Sequence, residues 1–296
     1  MSQDHGAQRR EQLIGIALLL LAVAFFACLD STAKWLSPGY HALQIGALRY
    51  LGSFVFTAIA LNPVRQPEIL RSRMLWLQCA RAFCLAFSTF CSFMALRSLS
   101  LTTATAITFA APLIAAVLAG PVLGEWIGPR RLVAVLAGFL GVLVITRPGG
   151  SGFQPAMLYS VGVACSNALY FLATRRLALR DGSATTMFYT GLVGSLLFLP
   201  VLPFVWQAPA SLLDGLLLAA LGLFGALGHG LLIVAHRRAT SSVLAPFFYA
   251  QLLWAIAIGV AVFGEVPDRW TLLGGAVVIG SGLYLLRREQ ARGAGG

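Results

Sequence analysis

The residues able to do chemistry are ionisable and amide side chains placed inside long apolar runs. Asp30 and Lys34, the only lysine of the chain, lie one helical turn apart in such a run. An ionised carboxylate within a membrane helix costs at least ~2.5–3.5 kcal/mol on insertion scales, so Asp30 needs a partner or water. Lys34 at i,i+4 can supply that partner. The pair reads either as substrate or ion recognition, or as an anchor near the interface with Lys34 snorkelling. Gln78, Arg81, Ser88 and Ser92 keep one helix face polar. Such a face points into a cavity or at another helix rather than at lipid. Arg49, close to the end of its run, is within snorkelling reach of the interface. His229, in mid-run, either relays a proton or sits neutral and hydrogen-bonded, while His236 beside Arg237 reads as interfacial. Asn167 shares its face with Ser160 and Thr174 and serves a cavity or helix–helix packing equally well. Tyr249, Gln251 and Trp254 combine an amide with aromatic surface, and Phe26, Phe90 and Tyr170 add apolar walls. Together these groups suit a small solute with polar groups at one end and an apolar body.

Other chemistries are excluded by what the sequence lacks. It has no Ser-His-Asp order, H-E-x-x-H or paired-carboxylate arrangement, so no catalytic residue is assigned and no enzyme is expected. No Walker A motif is present, so ATP is not the energy source within this chain. The Gly222, Gly225, Gly228, Gly230 cluster follows no strand and lies in an apolar run, which rejects a dinucleotide cofactor site. Cys28, Cys79, Cys84, Cys91 and Cys165 all fall in apolar runs without a C-x-x-C pair and read as packing residues. No metal or cofactor is expected.

The elements that must hold these residues are membrane helices. Of 296 residues 58% are hydrophobic and 10% charged, against about 25% charged in soluble domains. The net charge of +11 is dispersed among run ends rather than gathered in a groove, which argues against nucleic acid. The runs are 13–35, 43–61, 74–96, 101–123, 132–146, 157–177, 185–206, 214–236, 242–263 and 270–286. Each approaches the ~20 residues that cross a bilayer core. With the N-terminus cytoplasmic, fifteen arginines fall on the cytoplasmic side, and Lys34, Arg97, Arg147 and Arg269 on the other. That bias follows the positive-inside rule and puts both termini in the cytoplasm. The predicted fold is all-α and integral to the membrane: ten transmembrane helices built from two inverted five-helix repeats. Its units are a polar tail at 1–11 without a fold of its own, a first repeat at 12–148, a linker at 149–156, a second repeat at 157–286 and a basic tail at 287–296.

The repeat is written most plainly at Gly124-Glu125 and Gly264-Glu265, 140 residues apart. In both copies an apolar run ends at Gly-Glu, a proline follows within four residues and a basic residue opens the next run. Five spans per half is an odd number, so the second half is inserted upside down relative to the first, the usual construction of a carrier with alternating access. Pro112 and Pro246 each free backbone carbonyls inside their runs, by kinking or at a site.

With these motifs the chain resembles the EamA-type carriers of the drug/metabolite transporter superfamily. The resemblance rests on Asp30 with Ala33-Lys34, Ala47-Leu48-Arg49-Tyr50, Phe93-Met94-Ala95-Leu96 and Thr105-Ala106-Ile107-Thr108-Phe109 leading to Pro112. Leu123-Gly124-Glu125, Gly141-Val142-Leu143-Val144 and Arg147-Pro148-Gly149 complete the first half. The second copy keeps Phe263-Gly264-Glu265 but has Ala245-Pro246 and Tyr249-Ala250-Gln251 where the first has its threonine-rich run. Within the family the chain is most similar to YddG-type amino-acid exporters, and next to carriers for S-adenosylmethionine. The resemblance implies a bacterial inner-membrane protein that transports without ATP hydrolysis. The expected function is export of neutral amino acids, including aromatic and large apolar ones. The alternatives are an S-adenosylmethionine or other metabolite carrier and, in another class, a structural or channel protein. A channel needs a continuous polar lining that most spans do not offer. The expected substrate-binding or cavity-lining residues are Asp30, Lys34, Gln78, Arg81, Ser88, Phe90, Asn167, Tyr170, His229, Tyr249, Gln251 and Trp254. Asp30 and His229 are the candidates for proton coupling, with antiport and facilitated diffusion both open. The expected partners are the solute and membrane lipids, in a monomer or weak dimer.

Overall fold

A computed structural model describes residues 2–293, apart from 125, 127, 151 and 240. The described residues form helices and connecting loops, with no strand. The long helices of the first half are α1 (Ser2–Leu36), α2 (Ala42–Leu61), α3 (Leu75–Leu96), α4 (Leu101–Thr108), α5 (Ala111–Leu123) and α6 (Pro129–Thr146). The second half contributes α7 (Met157–Leu177), α8 (Ser183–Phe198), the single turn α9 (Leu202–Val205), α10 (Leu212–Arg238), the short α11 (Ser241–Leu244), α12 (Ala250–Phe263) and α13 (Arg269–Gly293). In hydrocarbon each backbone N–H and C=O must be satisfied within its own segment, so apolar runs of this length fold as helices.

Among the described residues seven stretches are long and apolar enough to cross a membrane: Arg10–Leu36, Ala42–Leu61, Leu75–Leu96, Leu101–Val122, Met157–Leu177, Leu212–Arg238 and Pro246–Phe263. Leu132–Thr146 is a shorter apolar helix, and α8 has 16 residues. The run expected at 185–206 therefore ends early, at Phe198, because Pro200 and Pro203 supply no N–H to continue it. The N-terminal tail also differs from its expectation. It is helical from Ser2 as the first turns of α1, and the Glu11 carboxylate pairs with Arg238 of α10 at 2.9 Å. At the other terminus α13 carries the 287–296 tail in helical form as far as Gly293.

Each half has a helix break beside a proline. Pro112 has no N–H for the carbonyl of Thr108, and α4 ends there; the chain re-enters the helix as α5 after Phe109-Ala110. In the second half Pro246 leads a 3-10 turn over Ala245–Tyr249 before α12. Phe109 and Tyr249, 140 residues apart, meet edge to face with ring centroids 5.1 Å apart. The helix ends match too. The Gly124 N–H bonds to the carbonyls of Ala119 and Gly120 at φ 76°, and the Gly264 N–H to those of Gly259 and Val260 at φ 66°. Both are left-handed caps, a conformation glycine adopts without steric cost. Glu125 lies outside the described residues.

The halves pack mainly on each other, with an exchange symmetry. The α1 helix runs against α10, with Gly15 by Ala239, Phe26 by Gly228 and Leu29 by Gly225. Its counterpart is α7 against α3, with Thr174 by Arg81, Asn167 by Ser88 and Gly162 by Cys91. In each list one number rises as the other falls, so both pairs are antiparallel. Equivalent helices also face each other antiparallel: α2 on α8, with Gly46 by Phe198 and Tyr50 by Gly194, and α6 on α13, with Gly138 by Ser281 and Gly141 by Gly274. Glycine permits this approach, since small residues let backbones close to contact. The buried core, including Leu36, Ile45, Phe93, Ile107, Leu113 and Ile145, lies between these pairs.

Candidate cavity between the two halves

A cavity of about 700 Å³ lies between α2, α3, α7, α8 and α10. Its walls reach from Arg49 and Tyr50 to Asp181, Ser183 and Arg237, and exposed residues at the latter end form its mouth. Arg81 stands on the α3 wall, 6% exposed. It donates from Nε to Thr174, from one terminal nitrogen to Thr190 and from the other to Tyr170, each at 2.6 Å. The guanidinium also lies 4.3 Å from the Tyr170 ring centroid, an attractive cation–π arrangement. Arg49, from α2, donates to the Thr89 hydroxyl on α3 and lies 5.0 Å from the ring centroid of Tyr50. It therefore turns into the bundle rather than snorkelling to the interface. His229 of α10 lines the same space and meets Phe26 at 4.9 Å between ring centroids.

The end opposite the mouth is stitched shut. Lys34 forms a 2.8 Å ion pair with Glu265 and donates to the carbonyls of Leu99 at 2.5 Å and Leu96 at 3.4 Å. The Glu265 carboxylate in turn accepts the N–H of Leu101 at 3.2 Å. An ammonium at the C-terminal carbonyls of α3 and a carboxylate at the N-terminus of α4 both complement the helix dipoles. Further ties join the halves at this end. Arg147 pairs with Asp268 at 2.6 Å, the Gln44 side chain exchanges two bonds with the Gln207 backbone, and the Tyr40 hydroxyl donates to Asp214 at 2.9 Å.

At the mouth Asp181 accepts from the Ser72 hydroxyl at 2.5 Å, the Arg73 N–H at 2.9 Å and the Gln78 amide at 2.9 Å. Partial burial pushes its carboxyl up, but these donors and the nearby Arg73 charge outweigh it and hold the group below the usual carboxylate range. A depressed folded value means that the tie of the 62–74 loop to the loop between α7 and α8 is intact above about pH 4 and is lost as pH falls through the lowered folded value.

The structure thus distributes the twelve expected site residues over several places. Arg81, Tyr170 and His229 line the cavity. Gln78 is buried beside it and bonds Asp181 and Thr186. Ser88 donates to the Asn167 side chain at 2.8 Å, joining α3 to α7. Phe90 packs against the core and lines a separate lateral groove with Phe87 and Met94. Lys34 belongs to the closed end. Its ammonium goes to Glu265 and not to Asp30, which corrects the i,i+4 pairing: the next-door helix ends offer two carbonyls and a carboxylate, a better shell than one carboxylate on the same helix. Asp30 faces the Gln251 amide at 3.5 Å, a long contact from α1 to α12. Tyr249 packs on Phe109, and Trp254 is 43% exposed on the outside of the bundle. Sequence reasoning omitted Arg49, Thr190 and Glu265 from the site. The spacing of Thr186 and Thr190, one turn apart at the start of α8, was the available signal for a polar stripe facing Arg81.

Known proteins resemble the chain over nearly its whole length. An S-adenosylmethionine uptake transporter of Rickettsia conorii is 28% identical over 94% of each chain. A riboflavin transporter of Vibrio cholerae is 28% identical over 96% of each. A pseudopaline exporter of Pseudomonas aeruginosa is 25% identical over 93% of this chain and 97% of its own. One solved crystal structure, 20% identical, shares the fold with a TM-score of 0.63 over 95% of this chain and 98% of its own. The model of the EamA-like transporter family matches twice, at residues 13–147 and 154–288, and the chain belongs to that family of the drug/metabolite transporter class.

Proposed function

We propose that this protein is a secondary carrier that moves amino-acid-type solutes, aromatic and large apolar ones among them, by alternating access. The observation that carries the reading is the cavity between the halves, with its mouth at one end and the Lys34–Glu265 tie across the other. Ten membrane crossings in two inverted repeats fit the antiparallel packing of α2 on α8 and of α6 on α13. An in-plane two-fold turns each helix of such a pair over onto its partner, which supports a second conformation with the mouth at the opposite end. The arginine distribution supports a reading in which the mouth and both termini face the cytoplasm, in a bacterial inner membrane. On a cysteine-free background, Ser98→Cys is expected to react with an impermeant thiol reagent from outside and Arg65→Cys only from inside; the reverse pattern rejects this orientation.

The cavity's hydroxyls and guanidinium groups lie beside Leu85 and Phe171. Polar groups there fix one end of a solute while apolar contact supplies adaptable affinity. A hydrophobic pocket separates solutes by only ~1–3 kcal/mol per methylene, so several side chains are accepted. S-adenosylmethionine, itself an amino acid, is the second reading, favoured by the relatives of that name. Competition in proteoliposomes among phenylalanine, methionine, threonine, S-adenosylmethionine, riboflavin and a hexose tests both. Phenylalanine and methionine are expected to compete. If S-adenosylmethionine alone competes the second reading holds, and if only riboflavin or the hexose does, both fall. Uptake with and without an imposed pH gradient decides the coupling: no effect on the steady-state distribution rules out proton antiport through Asp30 or His229.

A further inference from the structure

We infer that Arg81 and Arg49 together form an anion site in the cavity, so that the carboxylate is the part of the cargo this carrier requires. The inference rests on the carrier reading and adds the charge that selects the cargo. Arg81 is a buried cation whose three named acceptors are the neutral hydroxyls of Thr174, Thr190 and Tyr170. A guanidinium has five N–H donors in a planar fork, so two remain for a further acceptor. Taking a charge out of water without an opposite charge costs several kcal/mol, and hydroxyls offset only part of this. Arg49 adds a second cation to the lining of the same cavity, from α2, held by the Thr89 hydroxyl and lying over Tyr50.

The nearby carboxylates leave this charge in excess. Among the described residues Asp181 is the carboxylate on the cavity wall, and it is engaged at the mouth by Ser72, Arg73 and Gln78. Asp30 lies within electrostatic reach of Arg49 but contacts Gln251. One carboxylate for two guanidinium groups leaves at least one of the cations uncompensated in the closed part of the cavity. A cargo carboxylate meets the need, because it accepts a pair of N–H bonds from a guanidinium and neutralises it at once. Tyr170, Tyr50 and Phe171 then stand beside the remainder of the solute. The hydroxyl cradle from α7 and α8 keeps the Arg81 fork oriented while the site is empty, so binding requires little reordering.

Equilibrium competition on the purified full-length protein tests this with a set of compounds that share one ring: phenylalanine, phenylalanine amide, phenethylamine and 3-phenylpropionate, with S-adenosylmethionine alongside. The two phenyl carboxylates are expected to bind more than about tenfold more tightly than the amide and the amine, as the loss of a charged hydrogen-bond pair dictates. In Arg81→Gln and in Arg49→Gln that preference shrinks towards unity, and Arg81→Lys restores part of it. A structural role alone lowers all affinities together and leaves the preference intact. Amide or amine binding as tightly as the acid overturns the anion site and leaves the amino-acid reading standing. Binding of 3-phenylpropionate without phenylalanine or S-adenosylmethionine keeps the anion site and removes the amino-acid reading. Binding of none of the set removes both. If Arg81→Gln fails to fold, the wild-type series and Arg49→Gln still decide, and a preference unchanged in Arg49→Gln assigns the selection away from the paired site.

Discussion

Lys34→Met is expected to abolish trans-stimulated exchange and to cost of order 3 kcal/mol of stability, the lower end for removing one partner of a buried ion pair. The Lys34 and Glu265 side chains are 11% and 26% exposed, so solvent replaces little of what is lost. Removing the ammonium takes the cation from the Glu265 carboxylate and from the face of the Phe263 ring, leaves that carboxylate with the Leu101 N–H, and leaves the Leu96 and Leu99 carbonyls without their donor. It also unties α1 from the junction of α3 with α4 and from the loop entering α13. The closed end then opens without the cavity being filled, which uncouples the two gates. Thermal unfolding in detergent, read with exchange in proteoliposomes, measures both effects. The double exchange Lys34→Glu with Glu265→Lys is expected to recover less than half of the activity, because the reversed charges oppose the dipoles of α3 and α4. Wild-type exchange in Lys34→Met rejects the gate.

Gly222→Val is the second large effect, and it acts through packing. A Cβ at Gly222 comes within 2.5 Å of the Gly52 Cα and 2.9 Å of the Ser53 N, and one at Gly52 within 2.8 Å of the Gly222 Cα. These neighbours are backbone atoms and have no rotamer to change, so α2 and α10 must separate. Ser53 also donates to the Gly222 carbonyl at 3.0 Å, a bond this separation breaks. Overpacking of well-filled cores costs typically 1–3 kcal/mol, and here a helix–helix bond is added to it. The expected result is loss of folded protein from the membrane fraction, with Gly222→Ala intermediate. Gly230→Ala, where a Cβ meets open space, is the control with normal yield. Equal yields for all three contradict the close crossing.

Much of the fold was legible because lipid leaves few options. Apolar length marked where helices run, and the Gly124 and Gly264 repeat marked two helix ends, which the structure closes as left-handed caps. The proline breaks were readable in kind but not in place: Pro112 halts α4 at Thr108, whereas Pro246 sets a 3-10 turn. The site was less legible, because periodicity says which residues share a face and not which neighbour that face meets. Arg81 and Gln78 were on a polar stripe and stand at the cavity and its edge. Tyr249, Gln251 and Trp254 looked equally suitable by residue type, yet α12 turns Tyr249 to Phe109, Gln251 to Asp30 and Trp254 outward. Glu265 was visible only as a repeat signature. Its pairing with Lys34 spans most of the chain and depends on where α3 ends, which no local pattern encodes.

The central claim, one cavity exposed in turn to either side, is tested most directly by counterflow. Proteoliposomes preloaded with the unlabelled form of whichever solute wins the competition are diluted into its labelled form at low concentration. An alternating-access carrier returns loaded each time, so labelled solute is predicted to accumulate transiently above its external concentration, with an initial rate that saturates. Lys34→Met is predicted to lose the overshoot. A flux that rises linearly with concentration and is indifferent to the preloaded solute contradicts the account and describes a channel instead.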